Sequence, residues 1–227
     1  MQESDRLAVA VDLTSRDEIL RLVDELRGVV GIFKIGLQAF IANGPALVSE
    51  IVQGGERVFL DLKIHDIPNT AKNAIREAAG VGCFMTTVHA SGGDAMLRAC
   101  NDERLLVLGV TVLTSLDAGE LHGIGFQGEP LPNAVRLARL TRDAGLRGVV
   151  ASPLEIAAIR EACGPDFTIV TPGIRPAGAD AADQRRTLTP REAIAAGADY
   201  LVVGRPITDA RDRRAAAEAI VEDIARA

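Results

Sequence analysis

Short apolar runs recur along this sequence, each closing on polar or glycine residues and followed by a stretch with helical spacing. That alternation restricts the fold more than any other feature. Leu7-Ala8-Val9-Ala10-Val11 stops at Asp12, as a strand buried on both faces does. Residues 17–27 then carry Ile19, Leu22, Val23 and Leu26 on one face, and Gly28 closes a helix there. Further strands are expected at 29–35, 58–60, 83–88, 105–112, 148–151, 167–170 and 200–203. The helices between and after them fall at 39–52, 71–79, 94–99, 131–144, 154–162, 190–196 and 211–225. The second helix is interrupted at Asn43-Gly44-Pro45, and Asn69 or Thr70 is expected to cap the third. Residues 119–130 read as a Gly-rich irregular insert, and 171–187 as a long polar loop.

Eight strands alternating with helices, without a composition shift to mark a linker, predict one closed (β/α)₈ TIM barrel over 1–227 as a single domain. An open doubly wound sheet is the alternative, but Val11 leads into Asp12-Leu13-Thr14 and not into a Gly-rich dinucleotide turn. The chain is 48% apolar yet only 3% aromatic, so the core must be layered from Ala, Val, Leu and Ile.

A net charge of −6 with no basic block argues against nucleic acid as a partner, and an anionic small ligand would require a local cationic pocket. Cys83, Cys100 and Cys163 lack metal-ligand or C-x-x-C spacing and read as buried small residues in a reducing, cytoplasmic setting. The polar N-terminus leads straight into a strand, and no apolar run reaches the length of a membrane span, so neither targeting nor anchoring is expected.

In a barrel the carboxyl ends of the strands converge on one mouth. The residues there are Asp12, Lys34, Asp61, Lys63, His89, Thr114, Pro172-Gly173 and Gly204-Arg205. Asp61 and Lys63, two apart in an extended chain, share a face; Asp66 follows, and Pro68 stops the strand from continuing. Alternating charges hold one another ionised in a low-dielectric mouth, whereas a purely structural ionic plug costs desolvation without use. The loops after strands seven and eight are where barrels commonly bind phosphate. Thr171-Pro172-Gly173-Ile174-Arg175-Pro176, with Gln184, Arg185 and Arg186 beyond it, and Gly204-Arg205-Pro206 offer glycine backbone and guanidinium groups for that purpose. His65 reads as packed or hydrogen-bonded, His89 as either mouth-lining or structural, and no spacing indicates a tight metal site or a Ser-His-Asp arrangement.

The stretch Asp61-Leu62-Lys63-Ile64-His65-Asp66-Ile67-Pro68-Asn69-Thr70 resembles the signature of the orotidine 5′-phosphate decarboxylase family. So do Ala10-Val11-Asp12, Phe33-Lys34-Ile35-Gly36, Val88-His89-Ala90-Ser91-Gly92-Gly93, Val110-Thr111-Val112-Leu113-Thr114-Ser115, 171–176 with Asp183-Gln184, and 203–208, in that family's order. The segment between Gly93 and Leu105 is shorter than in relatives with the same His-Ala-Ser-Gly-Gly block, and no matched residue falls in it.

The resemblance implies a homodimeric barrel that needs no cofactor and converts orotidine 5′-monophosphate to UMP and CO₂. Carried over, Lys63 is the proton donor to C6 of the pyrimidine, flanked by Asp61, with Lys34 and Asp66 completing the charged array. Asp66 and Thr70 reach into the partner's site. Asp12 and Lys34 hold ribose hydroxyls, Thr114 holds the base, and Arg175, Gln184, Gly204 and Arg205 hold the phosphate. Two rivals share parts of this pattern: a magnesium-dependent sugar-phosphate decarboxylase or aldolase with an Asp-x-Lys-x-x-Asp motif, and a catalytically silent phosphate-binding barrel. Ile67-Pro68-Asn69-Thr70 and the Gln184 loop argue against the first, and the intact charged residues against the second.

Overall fold

The computed structural model describes residues 2–176 and 187–227. Its eight parallel strands are β1 (Leu7–Val11), β2 (Ile32–Gly36), β3 (Val58–Ile64), β4 (Met85–His89), β5 (Leu106–Val110), β6 (Gly148–Val150), β7 (Thr168–Thr171) and β8 (Tyr200–Val203), closed in sequence order. The last strand pairs with the first through Ala8↔Val202 and Val9↔Val203, as a (β/α)₈ barrel requires.

Alternation along each strand builds two cores. Inward-facing Ala8, Ala10, Ile32, Phe59, Met85, Leu108, Val170 and Val202 fill the barrel. Their outward neighbours, among them Val9, Val11, Phe33 and Leu60, pack against the helices. With both faces covered, the strands read as unbroken apolar runs. Continuing the inward alternation toward the carboxyl ends changes the chemistry: Ala10 is followed by Asp12, Ile32 by Lys34, Phe59 by Asp61 and Met85 by Thr87. The apolar plug thus carries a polar layer on top.

The helices are α1 (Arg16–Leu26), α2 (Leu37–Gln53), α3 (Pro68–Val81), α4 (Asp94–Ala99), α5 (Ala118–Gly123), α6 (Pro130–Asp143), α7 (Ile156–Cys163), α8 (Pro190–Ala195), α9 (Arg205–Thr208) and α10 (Arg213–Ile224). In α1 the buried residues are Ile19, Leu22, Val23 and Leu26, the face that the spacing predicts. Helix α2 kinks at Gly44, whose φ of 68° is left-handed and whose successor is Pro45. Four local expectations need correction. Helix α3 begins at Pro68 with Ile67 as its cap residue, so Asn69 and Thr70 lie inside the first turn, because Pro68 suits the first helical position. The insert before α6 contains α5, held by a capping box between Asp117 and Glu120. A single 3₁₀ turn, Ser4–Arg6, precedes β1, and its backbone packs so closely on Gly31 that any β-carbon there would collide with it. Finally, Cys83 and Cys100 are buried, with thiols pushed up to about 11 by burial, whereas Cys163 is partly exposed at the end of its helix.

Candidate active site

A cavity of about 560 Å³ opens at the carboxyl ends of the strands. That size suits a small ligand. Its wall includes Asp12, Lys34, Asp61, Lys63, Thr114, Arg175, Gly204 and Arg205, eight residues drawn from six different strand ends.

Asp61 is the hub of the charged wall. Its Oδ2 lies 2.8 Å from Lys63 Nζ and 3.8 Å from Lys34 Nζ. Lys34 Nζ is in turn 3.7 Å from Asp12 Oδ1. Negative and positive groups therefore alternate from Asp12 through Lys34 and Asp61 to Lys63. Asp61 is only 9% exposed, so in place of water its carboxylate has these ammonium groups and a hydrogen bond to Oδ1 from the buried Thr87 hydroxyl, 2.9 Å away.

The sequence places this hub through an irregularity that it does not advertise. Strand β3 continues past Asp61 to Ile64, further than its apolar run indicates. Pairing with β4 runs at Leu60↔Thr86 and resumes at Ile64↔Val88, so β3 takes four residues where β4 takes two. Within that bulge Lys63 has φ 51°, making it the only non-glycine residue with positive φ among the described residues. Lys63 nevertheless shares a side with Asp61, as simple alternation expects, but the bulge sets the aim of its ammonium. Backbone strain of this kind concentrates where a side chain must be held in one place.

Two of the expected site residues, one of them the charged array's Asp66, stand apart from the cavity. Asp66 is exposed, and its Oδ1 accepts a 2.7 Å hydrogen bond from the Ile67 N–H. Thr70 is exposed on α3. Neither lines the cavity in a single chain. Gln184, together with Arg185 and Arg186, lies outside the described residues.

Opposite Lys63, the strand seven and eight loops supply Pro172, Gly173, Arg175, Gly204 and Arg205. Arg175 is 9% exposed and donates to the Ile174 carbonyl at 2.9 Å. Gly173 takes φ 77°, and Arg205 opens α9, with Pro206 in its first turn. Thr208 and Asp209 of that segment also reach the cavity wall. Neither is among the strand-end candidates, although Thr208 falls in the 203–208 block and both lie just beyond β8, a usable signal.

Beside the hub, the His65 and His89 rings lie 5.4 Å apart, centroid to centroid. His65 is exposed, not packed inside. Burial, then His65 and the Lys63 ammonium, hold the His89 imidazole below its ordinary range, with Asp61 opposing them. Among the described residues no group of three His, Cys, Asp and Glu side chains is arranged to hold a metal ion, and no helix is long and apolar enough to cross a membrane.

Residues 5–220 match the family described as "Orotidine 5'-phosphate decarboxylase / HUMPS family". A Moorella thermoacetica protein named orotidine 5'-phosphate decarboxylase is 50% identical, over 99% of this chain and 94% of its own. A namesake from Vibrio parahaemolyticus is 45% identical over 97% of both chains. The crystal structure of orotidine 5'-phosphate decarboxylase from Lactobacillus acidophilus superposes with a TM-score of 0.86 at 35% identity, covering 96% of this chain and 98% of that one. With barrel, mouth and near-complete sequence coverage in agreement, this chain belongs to the orotidine 5'-phosphate decarboxylase / HUMPS family.

Proposed function

We propose that this protein decarboxylates orotidine 5′-monophosphate to UMP and CO₂, the last step of de novo pyrimidine nucleotide synthesis, without a cofactor. The observation that carries the reading is the alternation of Asp12, Lys34, Asp61 and Lys63 along one wall of the mouth cavity. Relatives matching nearly the whole chain bear the name of that activity, which favours it over the other branch of the family.

The chemistry explains the need for such a wall. When the C6–carboxylate bond breaks, its electron pair stays on C6 in the plane of the ring and cannot delocalise into the π system. A fixed cation is then the stabilisation that a protein offers without a cofactor. The Lys63 ammonium supplies that charge, gives its proton to the C6 pair and recovers one from solvent. Asp61 holds the ammonium in place, and its closeness to the substrate carboxylate, which repels it, is a secondary contribution. Asp12 and Lys34 bind ribose hydroxyls, Thr114 meets the base, and Arg175, Gln184, Gly204 and Arg205 take the phosphate. Binding energy from the distant phosphate helps to lower the barrier at C6.

In this reading the whole chain acts as one domain in the reducing cytoplasm, and two chains pair so that Asp66 and Thr70 of each complete the other's mouth. Support comes from the surface around them. Ile67 is 67% exposed and Ile41 78% exposed on adjacent βα segments, apolar area that pairing would cover.

Purified protein is expected to deplete orotidine 5′-monophosphate, followed by ultraviolet absorbance, equally well with and without EDTA. Loss of activity on chelation, recovered with magnesium, would instead favour a sugar-phosphate decarboxylase or aldolase of the same superfamily.

A further inference from the structure

We infer that Thr87 is a positioning residue for the reaction, an assignment that rests on Lys63 being the proton donor. Its side chain is fully buried on an inward-facing position of β4, directly beneath the charged wall. The hydroxyl donates to Asp61 Oδ1 at 2.9 Å and accepts the Lys63 backbone N–H at 2.9 Å. One side chain therefore grips both the hub carboxylate and the backbone of the proton donor.

The bulge in β3 explains why such a grip is needed. Where pairing lapses between Leu60 and Ile64, the Lys63 N–H has no place in the regular ladder, and its backbone sits at φ 51°. Thr87 gives that N–H an acceptor and so anchors a conformation that an L-residue rarely adopts. The same hydroxyl occupies Oδ1 of Asp61 and leaves Oδ2 to face Lys63 Nζ at 2.8 Å and Lys34 Nζ at 3.8 Å. A hydroxyl has the donor and the acceptor that this dual task requires; a valine of similar shape has neither.

The test compares Thr87→Val, which keeps the branching, with Thr87→Ser, which keeps the hydroxyl. Thr87→Val is expected to lower kcat for orotidine 5′-monophosphate about 10- to 100-fold, with KM changed by less than about 3-fold, because the ammonium is misplaced while the phosphate and ribose contacts persist. Thr87→Ser is expected to stay within about 3-fold of wild-type kcat, since it retains both hydrogen bonds. Should the valine variant not fold, Thr87→Ala against Thr87→Ser isolates the hydroxyl equally well. Wild-type kcat in Thr87→Val or Thr87→Ala, a serine variant as slow as alanine, or a loss confined to KM would overturn the assignment. Lys63→Ala, run in parallel, separates the two levels. If it turns over normally, the proton-donor reading fails; if it is inactive while the Thr87 variants are unimpaired, only the role of Thr87 fails.

Discussion

At the scale of single residues, the mouth is governed by how one carboxylate is shared. Asp61 meets two ammonium groups through one oxygen and a buried hydroxyl through the other. Removing either cation leaves a nearly buried charge short of a partner, so the array behaves as a unit and not as a sum of pairs. His89 sits beside it, and burial holds its imidazole below the ordinary range, with His65 and Lys63 adding to the effect and Asp61 opposing it. As pH falls through 6.5 the unfolded chain takes a proton at this position that the folded chain declines. His89 therefore lowers stability on the acid side of that value, and stability rises with pH across the window just below it. The melting temperature at about pH 5.5 is expected to lie below that at about pH 7.5, and the gap to shrink in His89→Asn. An unchanged gap would show that the titration resides elsewhere. Asp12, Lys34, Asp61 and Lys63 were legible because inward alternation past an apolar run is visible in a sequence. Thr87 was not: a threonine inside a strand is an ordinary strand former, and its two hydrogen bonds depend on a bulge in the neighbouring strand.

At the scale of elements, the barrel depends on close approach between neighbouring strands. Gly148 opens β6 where an added β-carbon would lie 2.5 Å from the Thr168 carbonyl oxygen and 2.8 Å from Leu108 Cδ2. The Gly148→Ala variant is expected to destabilise the protein by about 1–3 kcal/mol, through overpacking at the seam of β5, β6 and β7. Chemical denaturation measures the loss, and wild-type stability would mean that the seam yields freely. Strand and long-helix positions were readable because burial leaves a periodic trace, as in Ile19, Leu22, Val23 and Leu26 of α1. The short α5 left no such trace within six residues, and its signal was the Asp117-x-x-Glu120 capping box. The cap of α3 differs from the expectation because Asn69 and Thr70 have capping chemistry, while Pro68 ahead of them already fixes the first helical residue.

At the scale of the whole molecule, closure of eight strands separates two ends with different work. One end carries the Ser4–Arg6 turn and the strand starts, where Arg57 lies over the Phe84 ring at 5.0 Å. The other gathers residues from six strand ends around one cavity. The division was readable from the order of apolar runs and charged ends. Assembly rests on the family resemblance alone, since nothing local distinguishes an exposed loop from one awaiting a partner. Asp66 and Thr70 stand outside the cavity of their own chain, and on the proposed pairing they serve the neighbouring one. The most direct test is decarboxylase activity in a mixture of Lys63→Ala and Asp66→Asn proteins after subunit exchange. Each variant alone is expected to be nearly inactive. The mixture is expected to recover about a quarter of wild-type activity, because half of randomly exchanged dimers are hybrids and each hybrid has one of its two mouths intact. Full activity in Lys63→Ala alone, or no recovery despite demonstrated exchange, would contradict the account.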